Sequence, residues 1–401
     1  MFDLTLTKED KKLLEMVRFL GEKYMRPLGI EYDRKGEPIP PDHEFFKFLA
    51  QIGYQERVAG MGREIEDTSK VERFSARRAV LIGEETSYWD RGVAVSLPGP
   101  GLAGPPLAIL GTPEQKEKYL SIFKDRENPH WGAFAMTEPG AGSDVARIRT
   151  RCVKKDGRWV LNGQKAFCSN ADRADFIIVW ATVDPKLARA GHRAFIVEKG
   201  TKGLSIVKIE KKMGLSAYSS CSLSLEECEV PEENLLGGEK SYEGRQGFKS
   251  AMKSFNATRP TIAAMAIGIA RAAYDWTLNF VKENYSLSRP IPRYQKIREN
   301  IARVRRYIEV GRLLCWKAAW MADKGIENIV EASQAKAFCP MVAQKSVSLC
   351  LDIMQDAGIQ NDNYVEKLYR DVKALDIVEG TGQIQRIIIA RKLFELPSDE
   401  M

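Results

Sequence analysis

Two stretches of sequence decide the fold: Ala135-Met-Thr-Glu-Pro-Gly-Ala-Gly-Ser-Asp144 and Asp376-Ile-Val-Glu-Gly-Thr-Gly-Gln-Ile-Gln-Arg386. More than half of the chain separates them. The first is a glycine-rich turn, and the exposed backbone N–H groups of such a turn can hold an anionic or electron-rich partner. The second puts one carboxylate, Glu379, beside Gly380 and Thr381, where a ligand can approach the backbone closely. This arrangement suits the removal of a proton next to a carbonyl group.

Length and composition describe an ordinary globular protein. The 401 residues suffice for two or three domains that share an interface. The apolar fraction is 44% and the charged fraction 29%, both typical of such proteins. The formal charge of +7 mildly favours a polyanionic partner. No basic run interleaved with aromatic residues is present, so nucleic acid is not expected as a partner.

Cysteine and histidine usage argues against a metal site. The seven cysteines show no Cys-x-x-Cys spacing, so neither a disulfide framework nor a zinc site is expected. The three histidines, His43, His130 and His192, lie too far apart in sequence for a helical metal pair. The N-terminus lacks a charged-then-apolar leader, and no run of 18 apolar residues occurs. We therefore expect a soluble cytoplasmic protein without a metal and without a membrane segment.

Periodicity divides the chain into three domains. Apolar residues at helical spacing predict a helical domain over residues 1–127, in which Thr7 caps the first helix with Asp10 three residues later. Residues 128–240 carry short β-rich runs separated by turn signals such as Asp156-Gly157, which predict a small antiparallel barrel or sandwich. Long helical patterns return over residues 241–401. The predicted class is thus a multidomain α+β protein.

Together with this domain order, the two motifs resemble those of the acyl-CoA dehydrogenase family over the whole chain. The resemblance implies a four-helix bundle for the C-terminal domain and FAD as the cofactor. It also implies an acyl-CoA substrate and electron transfer to an electron-transfer flavoprotein. A homotetramer is expected, or at least a dimer, because members of the family share FAD between subunits.

The resemblance also assigns residues to the flavin. The segment Asn162-Gly-Gln-Lys-Ala-Phe-Cys-Ser-Asn170 matches the family's second flavin segment, with Phe167 where a tryptophan commonly stacks and Ser169 where a hydroxyl bonds near N5. The expected FAD-binding residues are Phe134, Met136, Thr137, Gly142, Ser143, Phe167, Cys168, Ser169, Arg289, Gln295, Asp356, Thr381 and Gln383.

Glu379 is the expected catalytic base. The resemblance implies that it removes the α-proton of the thioester while flavin N5 accepts the β-hydride, which yields the 2-enoyl thioester. The Glu379 N–H and a flavin ribityl hydroxyl would stabilise the enolate oxygen. Some branched-chain members place their base at the position of Thr258, but a threonine cannot serve as one. The expected substrate-binding residues are Ser143, Asp90, Asn256, Arg259 and Gly380.

Two departures from the family pattern concern the far end of FAD. The segment Arg-x-x-Phe-Gly is replaced by Asn284-Tyr-Ser-Leu-Ser288, so we expect Arg289 or Arg293 to supply the cation that faces the pyrophosphate. The Gly-Gly-x-Gly loop over the adenosine half reads Met354-Gln-Asp-Ala-Gly-Ile-Gln360, with only Gly358 in register.

The substrate and the chemistry remain open in several respects. The run Leu97-Pro-Gly-Pro-Gly-Leu-Ala-Gly-Pro-Pro106 alters a helix that usually lines the acyl tail, which favours a short, branched or cyclic acyl group. Asp90 is either an additional proton acceptor for a cyclic substrate, as the resemblance implies, or a solvated loop or helix-cap acid. Alternatives to the dehydrogenase are an acyl-CoA oxidase, a non-redox flavin-bound lyase, and a non-catalytic acyl-CoA-binding or assembly protein.

Overall fold

The structure, a computed structural model, describes residues 5–60, 75–286 and 292–396, with side chains at all of these except Ser75 and residues 244–257. The chain begins with a helical domain. A capping box starts its first helix: Thr7 Oγ1 accepts the Asp10 N–H at 3.1 Å and the Asp10 carboxylate accepts the Thr7 N–H at 3.1 Å. The helices of this domain are α1 (Lys8–Leu20), α2 (Arg26–Lys35), α3 (Glu44–Gln51), α4 (Tyr54–Val58), α5 (Ser75–Ser96), α6 (Gly104–Leu110) and α7 (Pro113–Ser121).

A seven-stranded curled sheet forms the middle domain. Its strands are β1 (Gly132–Ala135), β2 (Arg151–Lys155), β3 (Arg158–Ser169), β4 (Phe176–Thr182), β5 (His192–Glu198), β6 (Leu204–Ile209) and β7 (Ser220–Pro231). Their order is β1-β4-β2-β3-β7-β6, and β5 pairs with β4. Asp156 and Gly157 turn β2 into β3 with φ of 51° and 72°, as the sequence predicts.

The sheet is not purely antiparallel, which corrects the prediction in one respect. Strand β1 runs parallel to β4, with Gly132 opposite Phe176, and β2 also meets β4 in parallel. Parallel neighbours require a long connection between them. The glycine-rich motif and the residues after it supply that connection, because they leave the sheet between β1 and β2.

Helices make up the C-terminal domain: α8 (Gln246–Asn284), α9 (Pro292–Asp323), α10 (Ile329–Met354), α11 (Tyr364–Val372), α12 (Ala374–Ile377) and α13 (Gly382–Leu393). Among the described residues one helical segment, Ile329–Ala357, has the length and apolar composition of a membrane span. It contains α10, which packs against α8, α9 and α13. Its residues Ala335, Cys339, Ala343 and Val347 are buried in the core of the domain. A core helix of this kind passes a test of length and composition without meeting a membrane.

The boundaries at residues 127/128 and 240/241 stay predictions.

All seven cysteines are free and buried. They lie in the sheet and in the long helices, at positions where a small apolar side chain packs well. Cys315 of α9 and Cys339 of α10 contact each other, with their sulfur atoms 3.6 Å apart.

A buried ion cluster joins the three domains. Asp90 interrupts α5 with extended backbone angles (φ −167°, ψ 120°), and its side chain is fully buried. Lys367 of α11 donates from Nζ to Asp90 Oδ2 at 2.6 Å and to Asp371 Oδ2 at 2.5 Å. Asp371 Oδ1 accepts the N–H of Leu215, which lies between β6 and β7 in the middle domain, at 2.5 Å. One lysine thus bridges two carboxylates where the domains meet.

We expect Lys367→Met to lower the free energy of unfolding by about 3–5 kcal/mol, because it leaves Asp90 and Asp371 buried without their cation. Urea unfolding followed by circular dichroism measures the change. The matched control is Lys392→Met, which removes an exposed ion pair with Glu327 and should cost less than about 1 kcal/mol. Equal losses in the two variants would contradict the importance of the cluster.

Candidate active site

Glu379 lies in a tight turn between α12 and α13. Its φ is 54° and that of Gly380 is 93°, so two consecutive residues adopt left-handed backbone angles. The glycine adopts this conformation at little cost, whereas for a glutamate it stores strain of the order of 1 kcal/mol. Thr381 then caps α13, since its hydroxyl accepts the N–H of Ile384 at 3.4 Å. The strained turn fixes where the carboxylate of Glu379 points.

Burial and charge act on Glu379 in opposite directions. The Thr258 hydroxyl of α8 donates to Glu379 Oε2 at 2.6 Å. Burial raises the pKa of Glu379 above its ordinary value, while the bond from Thr258 and the charges of Arg91, Lys336 and Arg259 oppose the rise. Burial prevails. A carboxyl group with a raised pKa is a stronger base when ionised and is suited to accept a proton from carbon.

Lys336 of α10 is a buried cation beneath the turn. It is 0% exposed, and its Nζ donates to the carbonyl oxygen of Gly380 at 3.1 Å. Gln385 Nε2 donates to the same oxygen at 3.2 Å. Burial lowers the pKa of Lys336 to about 8, although the neighbouring Asp376 and Glu379 raise it. The turn that carries Glu379 is therefore attached to two helices, α10 and α13.

Two arginines complete the surroundings of Glu379. Arg259 of α8 is half-buried, and within the described part of the chain its Nε makes no hydrogen bond. Burial lowers the pKa of Arg91, and the charges of Tyr218, Glu379 and Asp90 oppose that change. Tyr218 in turn is bonded to the Ser169 side chain. Arg91 thus interacts electrostatically with both Glu379 and Tyr218, and Tyr218 is hydrogen-bonded to Ser169 of β3 in the middle domain.

An ion pair holds the glycine-rich motif in place. Lys165 Nζ of β3, fully buried, donates to Glu138 Oε1 at 2.8 Å and to the Met136 carbonyl at 3.1 Å. Glu138 also accepts the N–H groups of Arg149 at 2.6 Å and Thr150 at 2.9 Å. The glutamate of the motif therefore closes its own loop and fixes it to the sheet.

The second predicted flavin segment lies directly beside the first. The Ala166 N–H donates to the Thr137 carbonyl at 2.8 Å. Phe167 has a left-handed φ of 58°, where the register of β3 against β7 shifts, and its ring is 67% exposed. The next residue, Cys168, is buried. The irregularity of the strand turns one large aromatic ring outward.

These surroundings fit a flavin. The exposed aromatic ring of Phe167 offers a flat surface on which another flat aromatic ring system can stack. A Cβ added to Gly140 or Gly142 would meet nothing within 4 Å, so the turn is open on its outer side, where Ser143 is also exposed. Half-buried Phe134 and Thr137 and buried Met136 form the adjoining wall. The assignment of these residues to FAD stays a prediction.

The predicted residues for the far end of the cofactor lie elsewhere. Arg293 Nη2 donates to Gln355 Oε1 at 3.0 Å, beside a cavity of about 360 Å³ that none of the groups around Glu379 lines. The lining residues are Arg293, Lys296, Ile297, Asn300, Asp352, Ile353 and Gln355. Arg293 thus lies beside the altered loop after α10. Its role as a replacement for the missing cation stays a prediction.

Three other residues predicted to bind FAD lie at the surface of the protein. Gln295, Asp356 and Gln383 are exposed, and Gln295 donates to Glu299 at 3.2 Å. Arg289 and the side chain of Asn256 lie outside the described residues. Their predicted roles stay predictions.

Asp90 is a helix-cap acid, which is one of the roles that the sequence left open for it, but it is buried rather than solvated. It is 0% exposed; its Oδ2 accepts from Lys367, and its Oδ1 accepts the Val93 N–H at 2.9 Å. Both oxygens are therefore occupied. A role of Asp90 in contact with substrate stays a prediction that these bonds do not favour.

Sequence reasoning missed four contributors to the site: Thr258 as a donor to the base, Arg91, Tyr218 and Lys336. For Lys336 a signal exists, because this lysine stands between Ala335 and Ala337 on the apolar side of a long helix. A charged residue in such a position is rarely buried without a partner. The other three carry no local signal.

Three family models match the chain: "Acyl-CoA dehydrogenase, N-terminal domain" over residues 7–124, "middle domain" over 133–228 and "C-terminal domain" over 245–394. An acyl-CoA dehydrogenase of Bacillus subtilis is 34% identical over 397 residues, which cover 97% of this chain and 98% of that protein.

Two solved structures are similar over nearly the whole chain. Butyryl-CoA dehydrogenase from Megasphaera elsdenii has a TM-score of 0.84 and 31% identity, with 98% of this chain and 100% of that chain covered. A chain in the structure of the electron transferring flavoprotein of Acidaminococcus fermentans has a TM-score of 0.83 and 32% identity, with 98% and 99% covered.

We expect Glu379→Gln to stabilise the protein at pH 8 but not at pH 4. Because the folded pKa of Glu379 is raised above the ordinary value of 4.5, the folded state keeps a proton that the unfolded chain releases. The wild type therefore loses stability as the pH rises from about 4.5 through the folded pKa, and the glutamine variant does not. Thermal unfolding between pH 4 and pH 8 measures the difference. The exposed Glu327→Gln serves as control, and a parallel pH trend in both variants would contradict the prediction.

Proposed function

The chain belongs to the acyl-CoA dehydrogenase family and is an FAD-dependent oxidoreductase acting on acyl-CoA, and from that premise we propose that it converts an acyl-CoA thioester to the 2-enoyl-CoA with Glu379 as the base. The observation that carries the proposal is the carboxylate itself. It is held by Thr258, surrounded by three cations and raised in pKa by burial.

The residues of the chain act on the proton at Cα. Ionised Glu379 accepts this proton on a carboxylate oxygen, and its raised pKa reduces the difference in acidity between carbon and carboxyl. The Glu379 N–H is the proposed donor to the thioester oxygen, where negative charge develops. Before the proton moves, ionised Glu379 carries a negative charge. The positive charges of Arg91, Arg259 and Lys336 offset it. FAD, when bound, supplies the acceptor for the hydride that leaves Cβ.

Residues of the middle domain would hold the flavin. Phe167 offers the stacking ring, and Ser169 offers a hydroxyl that Tyr218 orients. The loop of Met136 and Thr137 is fixed by the Glu138–Lys165 pair, so it would meet the flavin without reorganising. Arg293, with Arg289 as the other candidate from sequence, would face the phosphates of a neighbouring subunit's FAD.

An electron-transfer flavoprotein is the proposed acceptor of the electrons. The similarity to a chain in an electron transferring flavoprotein structure supports this choice over oxygen. Oxidase and non-redox lyase activities are the alternatives. A non-catalytic binding role is the third alternative, but it would not require a strained turn with a half-buried carboxylate. A homotetramer and a cytoplasmic location belong to the same proposal.

The proposed substrate carries a short, branched or cyclic acyl group. The backbone near the predicted acyl end is irregular: α5 is broken at Asp90, ends at Ser96 and is followed by a short 3₁₀ turn, Gly101–Ala103, before α6. A helix interrupted in this way is less suited to line a long extended chain. The similarity to butyryl-CoA dehydrogenase supports a short acyl group.

We expect anaerobic titration of the FAD-loaded protein with short, branched or cyclic acyl-CoAs to bleach the oxidised flavin, whereas long-chain thioesters bleach it more slowly. Visible absorbance measures the bleaching. Subsequent reoxidation by electron-transfer flavoprotein, faster than by oxygen, separates the dehydrogenase from the oxidase. Bound flavin that no thioester bleaches would contradict the dehydrogenase.

The base can be tested apart from the flavin. 3,3-Dimethylbutyryl-CoA has α-hydrogens but no β-hydrogen, so it can exchange its α-protons with D2O but cannot be dehydrogenated. We expect Glu379→Gln to slow this exchange at least about 1,000-fold, because the amide cannot accept the proton. Mass spectrometry measures the deuterium uptake. Glu327→Gln should exchange at the wild-type rate, and unchanged exchange in Glu379→Gln would exclude Glu379 as the base.

A further inference from the structure

Lys336 is a buried cation that donates a hydrogen bond to a backbone carbonyl rather than to a side chain. Among the described residues its Nζ makes one hydrogen bond, to the Gly380 carbonyl at 3.1 Å, although the acids Asp376 and Glu379 are near enough to act on its charge. Removing an ammonium group from water is costly, and a bond to one carbonyl compensates little of that cost. A buried lysine used in this way contributes little to folding, so its place in the site calls for a different explanation.

We propose that Lys336 is the positioning residue of the catalytic base: its ammonium group holds the Gly380 carbonyl and so fixes the left-handed turn that presents Glu379 to the substrate. This inference rests on the proposed function of Glu379. Lys336 itself does not touch the thioester.

The geometry of the turn explains why such a clamp is needed. Glu379 and Gly380 both have positive φ, so the turn is strained and relaxes unless its surroundings hold it. A carbonyl oxygen has two lone pairs, and here Lys336 of α10 and Gln385 of α13 occupy both. Gln385 belongs to the helix that the turn leads into and moves with it. Lys336 comes from a separate core helix and ties the turn to the domain.

Charge adds a second reason for a lysine at this place. The ammonium group faces Glu379 in the turn and Asp376 of α12, both of which favour its charged form, while Arg259 of α8 opposes it. Cys339, one helical turn further along α10, also faces it. As a cation, Lys336 favours the ionised form of Glu379, in which the carboxylate can accept a proton. With its pKa at about 8, this help is present at neutral pH and is lost as the pH rises above 8.

The test compares single-turnover flavin reduction in the wild type, Lys336→Met, Lys336→Gln and Lys345→Met. Methionine is unbranched like lysine and only slightly shorter, but it has neither charge nor donor. Glutamine restores a neutral donor, and Lys345 is an exposed lysine of the same helix. We expect Lys336→Met to slow reduction about 10- to 100-fold, since a misplacement of about 1 Å costs that much. Lys336→Gln should recover part of the loss, and Lys345→Met should behave as wild type.

Binding and proton exchange distinguish positioning from a general structural role. In Lys336→Met the Kd for 3,3-dimethylbutyryl-CoA should stay within about threefold, while α-proton exchange of this thioester falls as much as flavin reduction does. In the wild type the reduction rate should decline above pH 8, and Lys336→Met should lack this decline. Full exchange and reduction rates in FAD-loaded Lys336→Met would overturn the proposal.

Two further outcomes are decisive. If Lys336→Met does not fold, Lys336→Gln carries the test: α-proton exchange and flavin reduction at the full wild-type rates in this variant overturn the proposal. A wild type that no thioester reduces and that exchanges no α-proton refutes the proposed function instead. A wild type that reacts while Lys336→Met reacts equally well refutes only the role of Lys336.

Discussion

One carboxylate must be kept from water, and the rest of the site depends on how this is done. Burial raises the pKa of Glu379, while Thr258, Arg91, Lys336 and Arg259 act to lower it. Too little opposition would leave the group protonated and unable to accept a proton; too much would make it a weak base. The cations therefore stand around the carboxylate without an ion pair to it among the described residues, and a neutral hydroxyl makes the hydrogen bond.

This arrangement requires several parts of the chain at once. The turn with Glu379 comes late in the sequence, Thr258 and Arg259 from α8, Lys336 from α10 and Arg91 from α5. The cluster of Lys367 with Asp90 and Asp371 lies at the same meeting of domains and includes the residue directly before Arg91. Correct folding of each domain is thus insufficient, because Arg91 comes from a different domain and acts on the base only when the domains dock.

Local signals explain what the sequence could predict. Thr7 with Asp10 and the turn at Asp156 and Gly157 are features of a few neighbouring residues, and the structure confirms both of them. Contacts between distant residues have no such signature. Asp90 and Lys367 are 277 positions apart, and Thr258 and Glu379 are 121 apart. The parallel pairing of β1 with β4 was missed for the same reason, since the pattern of a short strand does not name its neighbour.

The burial of the cysteines affects how readily their thiols are oxidised near a redox cofactor. A reduced flavin that meets oxygen releases peroxide, and peroxide attacks thiolates. Burial raises the pKa of Cys152, Cys168 and Cys350 to about 12 and that of Cys221 and Cys228 to about 11, so almost no thiolate exists at neutral pH. Cys168 directly follows Phe167, the residue proposed to stack on the flavin, and is itself buried. Its burial and its raised pKa both lower the reactivity of this thiol toward peroxide.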